Sequence, residues 1–186
     1  MPHIPLEEHL PGITGLLEYS RETGNVLRGL TQLLLRGPST LSEAERELIA
    51  AIVSHKNNCN YCATSHTAAA DAFLGEHETS EKVKQDIQSA PVSQKMKALL
   101  TVASQVQESG KSVKLSTIEK AKQEGATELE IHDTVLIAAL FCLYNRYVDG
   151  LATVAPIDSG YYNQMAERLK NSGYNRPPQG YDHLRK

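Results

Sequence analysis

The sequence predicts a single all-α domain, and three observations lead to that prediction. Apolar residues recur at three- and four-residue spacing instead of alternating, capping residues separate these stretches, and 186 residues suit one hydrophobic core. The apolar content of 40%, with no Trp, is lean for such a core. We therefore expect a helical bundle that buries further apolar surface between subunits as an obligate oligomer. The domain is predicted to span residues 1–186, with its core at about 41–150.

Two helices are predicted in the first third of the chain. Leucines and a valine between residues 26 and 34 lie at helical spacing, and the proline-bearing turn at Gly37 ends that helix. Ser42 and Glu45 have the spacing of a capping box, in which each side chain bonds the other residue's backbone N–H. This box predicts a second helix over about 43–56.

A third helix is predicted to begin with Asn58 as its N-cap and to end at Gly75. It carries Cys59, Cys62 and His66. At about 100° per residue, these three side chains project within an arc of about 60° on one helix face. They can therefore act together on one small molecule.

The later helices are predicted from capping residues that precede apolar stripes. Thr127 and Glu130 form a second capping box, and the helix that follows, to about Asp149, is the most apolar. The predicted helices begin at Ser80, Ser93, Ser116 and Thr127, and a last one spans Tyr161–Asn171. The tail from about 175 to 186 holds two prolines and little to bury, so we expect it to be mobile or to lie across a neighbour.

Charge and composition exclude several functional classes. The chain has 19 Lys and Arg against 22 Asp and Glu, a net charge of −3, so no basic surplus is available for nucleic acid or an anionic membrane surface. No apolar run approaches the roughly 18 to 20 residues of a membrane span, and the amino terminus lacks the pattern of a secretion signal. We expect a cytoplasmic protein. Its three cysteines are too few for a disulfide framework, so the close pair indicates redox or metal chemistry.

The residues that carry chemistry are Glu47, Cys59, Cys62 and His66, in the pattern Glu-x11-Cys-x2-Cys-x3-His. If the second and third helices fold back as a hairpin, Glu47 lies level with His66. We expect the helix amino terminus and His66 to lower the pKa of a thiol, while Glu47 holds the imidazole or relays its proton. A thiolate that attacks a peroxide becomes a sulfenic acid, which the second cysteine resolves as a disulfide.

Other interpretations of these residues remain open. The two cysteines and His66, with Glu47 or His132 as a fourth ligand, have the chemistry of a zinc site. Plain core packing of the cysteines is a further alternative. Taken alone, Glu47 is typical of a solvated helix charge, whose replacement by Gln changes stability by about 0.5 kcal/mol or less.

The stretch from Leu41 to Ala70 resembles the core of the alkylhydroperoxidase D-like branch of the carboxymuconolactone decarboxylase superfamily, in particular its peroxidase-related group. The Glu-x11-Cys-x2-Cys-x3-His pattern fits without a gap, and the segment Tyr-Asn-Arg-Tyr-Val-Asp-Gly at 144–150 is similar to a second signature. The resemblance implies an all-helical oligomer in which Cys62 is peroxidatic and Cys59 resolves. The best-studied relatives have His before the second cysteine, whereas this chain has Tyr61.

Together these points predict a thiol peroxidase that reduces small hydroperoxides with Cys62 as nucleophile, Cys59 resolving, His66 as base and Glu47 as relay. We expect no cofactor and no metal, an unknown thiol or lipoyl electron donor, no nucleic acid or membrane partner, and a homodimer or homohexamer. The alternatives are a reductase of lipoyl or protein disulfides and a non-catalytic helical protein that binds zinc.

Overall fold

The computed structural model describes residues 1–182, and within them every regular element is helical, as predicted. Nine α-helices and one short 3₁₀ turn follow one another along the chain. They are α1 Ile13–Tyr19, α2 Arg21–Arg36, α3 Glu43–Lys56, α4 Asn60–Leu74, α5 Glu78–Gln85, α6 Gln94–Glu108, α7 Leu115–Gln123, α8 Glu128–Gly150 and α9 Ser159–Ser172, with the 3₁₀ turn at Gly110–Ser112 between α6 and α7.

Helix α3 is the centre of the bundle. It packs along α4 as an antiparallel hairpin and also contacts α6 and α8. Residues 46–54 of α3 are all buried, so the helix is covered on every side. A helix of that kind belongs in the middle of a domain, because no face of it needs water. Any side chain of α3 that carries a charge must therefore find its partners inside the protein.

The capping signals located three of the helix starts. Both predicted capping boxes are present, at Ser42 with Glu45 and at Thr127 with Glu130. Ser93 caps α6 as predicted, by accepting a hydrogen bond from a backbone N–H. These starts were predictable because a cap is a contact between residues three apart in sequence.

Three local predictions were wrong. Helix α4 begins one residue later than predicted, with Cys59 as its N-cap. The reason is that Asn58 adopts a left-handed backbone (φ 57°) in the turn from α3. Ser80 lies inside α5 instead of capping it, since its hydroxyl donates to the buried carboxylate of Asp71. Helix α1 was not predicted at all, because its seven residues are too few to show a clear period.

The predicted mobile tail packs, as far as residue 182, on its own chain. The Arg176 guanidinium forms an ion pair with Glu18 of α1, with Nε to Oε1 at 3.0 Å. Tyr181 is buried and lies beside Arg28 of α2, whose guanidinium is 5.8 Å from the ring centre. Residues 183–186 lie outside the described part of the chain.

Helix α8 is the longest, at 23 residues. Neither it nor any other helix of residues 1–182 has the length and apolar character that a bilayer crossing requires.

Candidate active site

Glu47 and His66 form the centre of the site. The α3–α4 hairpin places them opposite each other, and Oε2 of Glu47 lies 2.6 Å from Nδ1 of His66. This is the contact that the sequence spacing predicted. The side chain of Glu47, however, is 0% exposed, so it is no solvated surface charge.

Two further residues hold the other carboxylate oxygen of Glu47. Arg36, at the end of α2, donates from Nη2 to Oε1 at 2.6 Å, and the hydroxyl of Tyr174 donates to the same oxygen at 2.5 Å. Burial by itself would raise the pKa of the Glu47 carboxyl, but the charges of His66 and Arg36 and the bond from Tyr174 hold that pKa below its ordinary value. Glu47 is therefore an ionised carboxylate inside the bundle.

The imidazole of His66 has a fixed orientation. Its edge packs against the ring of Phe141 with centroids 4.4 Å apart, and Tyr174 stacks on it at 6.2 Å. Because the Glu47 carboxylate can only accept hydrogen bonds, Nδ1 carries the hydrogen of this contact, and Nε2 is the ring nitrogen that points away from Glu47. His66 also lines an apolar cavity, together with Cys62.

The two cysteines are free thiols and are deeply buried, with Cys59 0% and Cys62 3% exposed. The sequence predicted a lowered thiol pKa, and this prediction was wrong for the reduced, empty site. The neighbouring Cys59 and burial raise the pKa of Cys62 well above its ordinary range, while a hydrogen bond from Asn145 opposes them. Desolvation outweighs the helix amino terminus because a thiolate has almost no water around it here.

Cys62 and His66 are not directly bonded. They lie one turn apart on α4 and face the same cavity, but no hydrogen bond joins them among the described residues. A proton therefore has to pass between them across the cavity.

That cavity, which we call the thiol cavity, has a volume of about 70 Å³. This is several times the roughly 10 to 15 Å³ needed by one water molecule, so there is room for a small organic ligand. Its wall consists of side chains from α1, α2, α4, α8, α9 and the tail, and is mainly aromatic and aliphatic. The charged members of the wall are Arg28, Arg168 and, when protonated, His66.

Several of these residues were missed by sequence reasoning. Tyr174 is 127 residues from Glu47 along the chain, and nothing in its local sequence marks it. Arg36 was not predicted as a site residue. Asn145 lies within the second signature segment, but its contact with the sulfur needed the tertiary structure; its amide is fixed by Ser54 and Asn57, at 3.0 and 2.8 Å.

The zinc interpretation finds no support in the geometry. In residues 1–182, no group of three or more His, Cys, Asp or Glu side chains is arranged to hold a metal ion. His132, the alternative fourth ligand, is exposed and paired with Asp133 at 2.9 Å. Glu47, the other alternative, is already saturated by Arg36, His66 and Tyr174.

Comparison with known proteins agrees with this fold and motif. Residues 21–85 match the model of the carboxymuconolactone decarboxylase family. A structure of the alkylhydroperoxidase D core, an uncharacterised peroxidase-related protein from Ralstonia eutropha, superposes with a TM-score of 0.77 at 19% identity, covering 89% of this chain and 96% of that one. The chain therefore shares the fold of the alkylhydroperoxidase D core, and its residues 21–85 are similar to the carboxymuconolactone decarboxylase family.

A second solved structure has a similar fold. The structure of an uncharacterised peroxidase-related protein from Silicibacter sp. has a TM-score of 0.74 at 24% identity, over 82% of this chain and 78% of that one. No curated protein matches the sequence. The superfamily model ends within α5, so the cysteine pair and Glu47 lie inside the matched segment, whereas Tyr174 and Arg168 lie beyond it.

Proposed function

We propose that this protein is a thiol peroxidase that reduces hydroperoxides through a dithiol/disulfide cycle of Cys62 and Cys59. The observation that carries the proposal is the arrangement of Cys62 and His66 on one small apolar cavity, with the far side of the imidazole bonded to an ionised, buried Glu47. A proton acceptor held by a carboxylate beside a thiol is the arrangement that nucleophilic thiol chemistry requires. The superfamily's peroxidase-related neighbours agree with this activity.

The chemical steps balance without a cofactor. The Cys62 sulfur attacks one peroxide oxygen, an S–O bond forms, and the O–O bond breaks. The thiol proton passes to Nε2 of His66 and then to the leaving alkoxide, which departs as an alcohol. The Cys59 thiol then attacks the sulfenic acid of Cys62, so that a disulfide forms and water leaves. An external dithiol, which can be a lipoyl or protein dithiol, reduces the disulfide by thiol exchange.

The raised pKa of Cys62 determines when the thiol proton leaves in this cycle. The resting thiol stays protonated at neutral pH, so attack requires transfer of the proton to His66 during the reaction. Glu47 assists because its charge stabilises the imidazolium that results. Arg36 and Tyr174 keep the carboxylate ionised and oriented, and they act as positioning residues. General-base assistance of this kind typically contributes about 10² to 10⁴ in rate.

Burial of the sulfurs favours a small peroxide over a large disulfide as oxidant. A protein disulfide has to meet the attacking sulfur directly, but Cys62 lines the thiol cavity and is 3% exposed, and Cys59 is 0% exposed. We therefore propose that disulfide exchange belongs to the regeneration step.

The test is a single turnover. Reduced protein is mixed with hydrogen peroxide or an organic hydroperoxide, and we expect two thiols to be lost per hydroperoxide consumed. Cys62→Ser should abolish this reaction, whereas Cys59→Ser should still consume one equivalent and leave a sulfenic acid that dimedone traps. A dimedone adduct on Cys59 in the Cys62→Ser protein, and none in the reverse variant, would exchange the two roles. Retention of both thiols in the unmodified protein with every hydroperoxide would overturn the proposal.

A further inference from the structure

The charge of the thiol cavity is unbalanced. Among the described residues that line it are two arginines, Arg28 and Arg168, and no aspartate or glutamate. The buried carboxylate of Glu47 does not line the cavity and is already bonded to Arg36 and His66. An apolar chamber with cationic groups and no anion in its wall has a positive potential, which the low dielectric strengthens.

Arg168 is the cation best placed to meet a ligand. It projects from α9, is half-buried, and lines both the thiol cavity and an adjoining cavity of about 280 Å³. The two cavities share four wall residues, Thr14, Met165, Arg168 and Tyr181. Within residues 1–182, Arg168 makes no hydrogen bond or ion pair, although its guanidinium has five donors to satisfy.

Arg28 is held deeper, in an ion pair with a buried carboxylate. Its side chain is 4% exposed, and Nη2 lies 2.9 Å from Oε1 of Glu18. Glu18 also pairs with Arg21 at 3.3 Å and with Arg176 at 3.0 Å. Because Arg28 is already paired, Arg168 is the arginine of the cavity wall whose guanidinium is available to a ligand.

We propose that the thiol cavity is specific for small organic hydroperoxides that carry a carboxylate, and that Arg168 binds this carboxylate. The inference rests on the proposed peroxidase function. The apolar wall receives the carbon chain, the hydroperoxide end lies toward Cys62, and the carboxylate lies at the junction with the outer cavity, where the guanidinium can bind it through two parallel hydrogen bonds. Arg28 stays in its ion pair with Glu18.

The test compares two hydroperoxides that differ only in charge at one end. 2-Hydroperoxy-2-methylbutane is neutral, and 3-hydroperoxy-3-methylbutanoate replaces its terminal methyl group by a carboxylate. Single-turnover rates with reduced protein should favour the carboxylate by about tenfold or more, because a charge-assisted bidentate contact is among the strongest a small ligand can make. In Arg168→Gln that ratio should fall toward one, and Arg168→Lys should be intermediate, because the charge remains without the planar fork.

A matched control separates binding from general attraction. Lys111→Gln removes one positive charge from an exposed residue outside the cavity wall, and it should leave the ratio unchanged. If Lys111→Gln lowers the ratio as much as Arg168→Gln does, the preference arises from the electrostatic field of the whole protein, and the assignment of the site to Arg168 is wrong. A wild-type ratio near one would overturn the substrate class while leaving the peroxidase proposal intact.

A binding measurement decides the question even if neither hydroperoxide reacts. 3-Hydroxy-3-methylbutanoate and 2-methyl-2-butanol are the product alcohols of the two reagents, and their affinity can be measured by calorimetry on the reduced protein. We expect the carboxylate to bind at least tenfold more tightly and to lose this advantage in Arg168→Gln. Equal affinity of the two alcohols, or an advantage that persists in Arg168→Gln, refutes the role of Arg168 whatever the fate of the thiols.

Discussion

Replacing Glu47 by Gln is the change that tests the buried network most directly. The variant keeps the shape and an amide oxygen that can accept hydrogen bonds, but it removes a charge that faces Arg36 and His66 at 2.6 Å each. From sequence alone this change would affect a solvated residue and cost almost nothing. In the structure it leaves the Arg36 guanidinium, 5% exposed, without its close counter-ion, and only Glu43 remains, at 4.0 Å.

The expected size of the effect follows from that burial. Removing one partner of a buried ion pair typically costs about 3 to 5 kcal/mol. The Gln oxygen can still accept from Arg36 or Tyr174, and the Arg36 guanidinium also lies over the rings of Phe73 and Tyr174. We therefore expect the lower end, about 3 kcal/mol of unfolding free energy at pH 7. For a domain of this size that corresponds to a fall in Tm of roughly 6 to 12 °C.

The pH dependence has a definite sign. Because the folded-state pKa of Glu47 lies below its unfolded value, the stabilisation is complete above the unfolded pKa of about 4.5 and is lost as pH falls through the folded pKa. The difference in stability between wild type and Glu47→Gln should therefore be greatest near neutrality and shrink below about pH 4.5. Peroxide consumption by the variant should be slower by at least tenfold near pH 7, with the gap closing at high pH as hydroxide generates the thiolate.

Urea unfolding and single-turnover kinetics measure the two effects on the same preparations. Glu43→Gln is the matched control, since it removes the same charge from the same helix at a half-buried position 4.0 Å from Arg36, where the ion pair is longer and wetter. That control should change stability by no more than about 0.5 kcal/mol. If Glu47→Gln unfolds at the same urea concentration as Glu43→Gln, the carboxylate is not the counter-ion we assign to Arg36. If its pH–rate profile overlays that of the wild type, Glu47 has no part in the proton transfer.

Three further outcomes are expected. Tyr174→Phe removes the 2.5 Å bond to Glu47 while keeping the ring. The variant should lose about 1.5 to 3 kcal/mol of unfolding free energy in urea and react more slowly in a single turnover. Full activity would exclude the positioning role. Burial raises the pKa of Glu130, but bonds from Lys95, Thr127 and Thr40 lower it to about 2. Glu130→Gln should therefore reduce the stability to urea at pH 7, and this loss of stability should disappear as pH falls from about 4.5 to 2. A loss that is independent of pH would contradict this. Exposed apolar side chains such as Leu33 (64%) and Leu143 (46%) agree with assembly, and light scattering should show a dimer or hexamer at micromolar concentration, against which a 20.4 kDa monomer would count.

The sequence determined the local parts of this site. The capping boxes at Ser42 and Thr127 required only contacts three residues apart, so the starts of α3 and α8 were predictable. The face shared by Cys62 and His66 follows from helical geometry. The level of Glu47 opposite His66 followed from the lengths of two helices joined by a short turn. The family resemblance rested on the same short-range pattern, and the matched segment contains it.

Only the tertiary structure decided the electrostatics. Whether Glu47 faces water or lies in the core depends on what covers α3, and the contact with Cys59 together with burial reversed the expected direction of the Cys62 pKa. Arg36 and Tyr174 reach Glu47 from helix α2 and from the tail, across 11 and 127 residues of chain. The charge balance of the thiol cavity likewise needs α2 and α9 in place together. Residue spacing sets which side chains of one helix share a face, but burial and long-range charge pairs arise from packing, and these two determine how a thiol, an imidazole and a carboxylate behave.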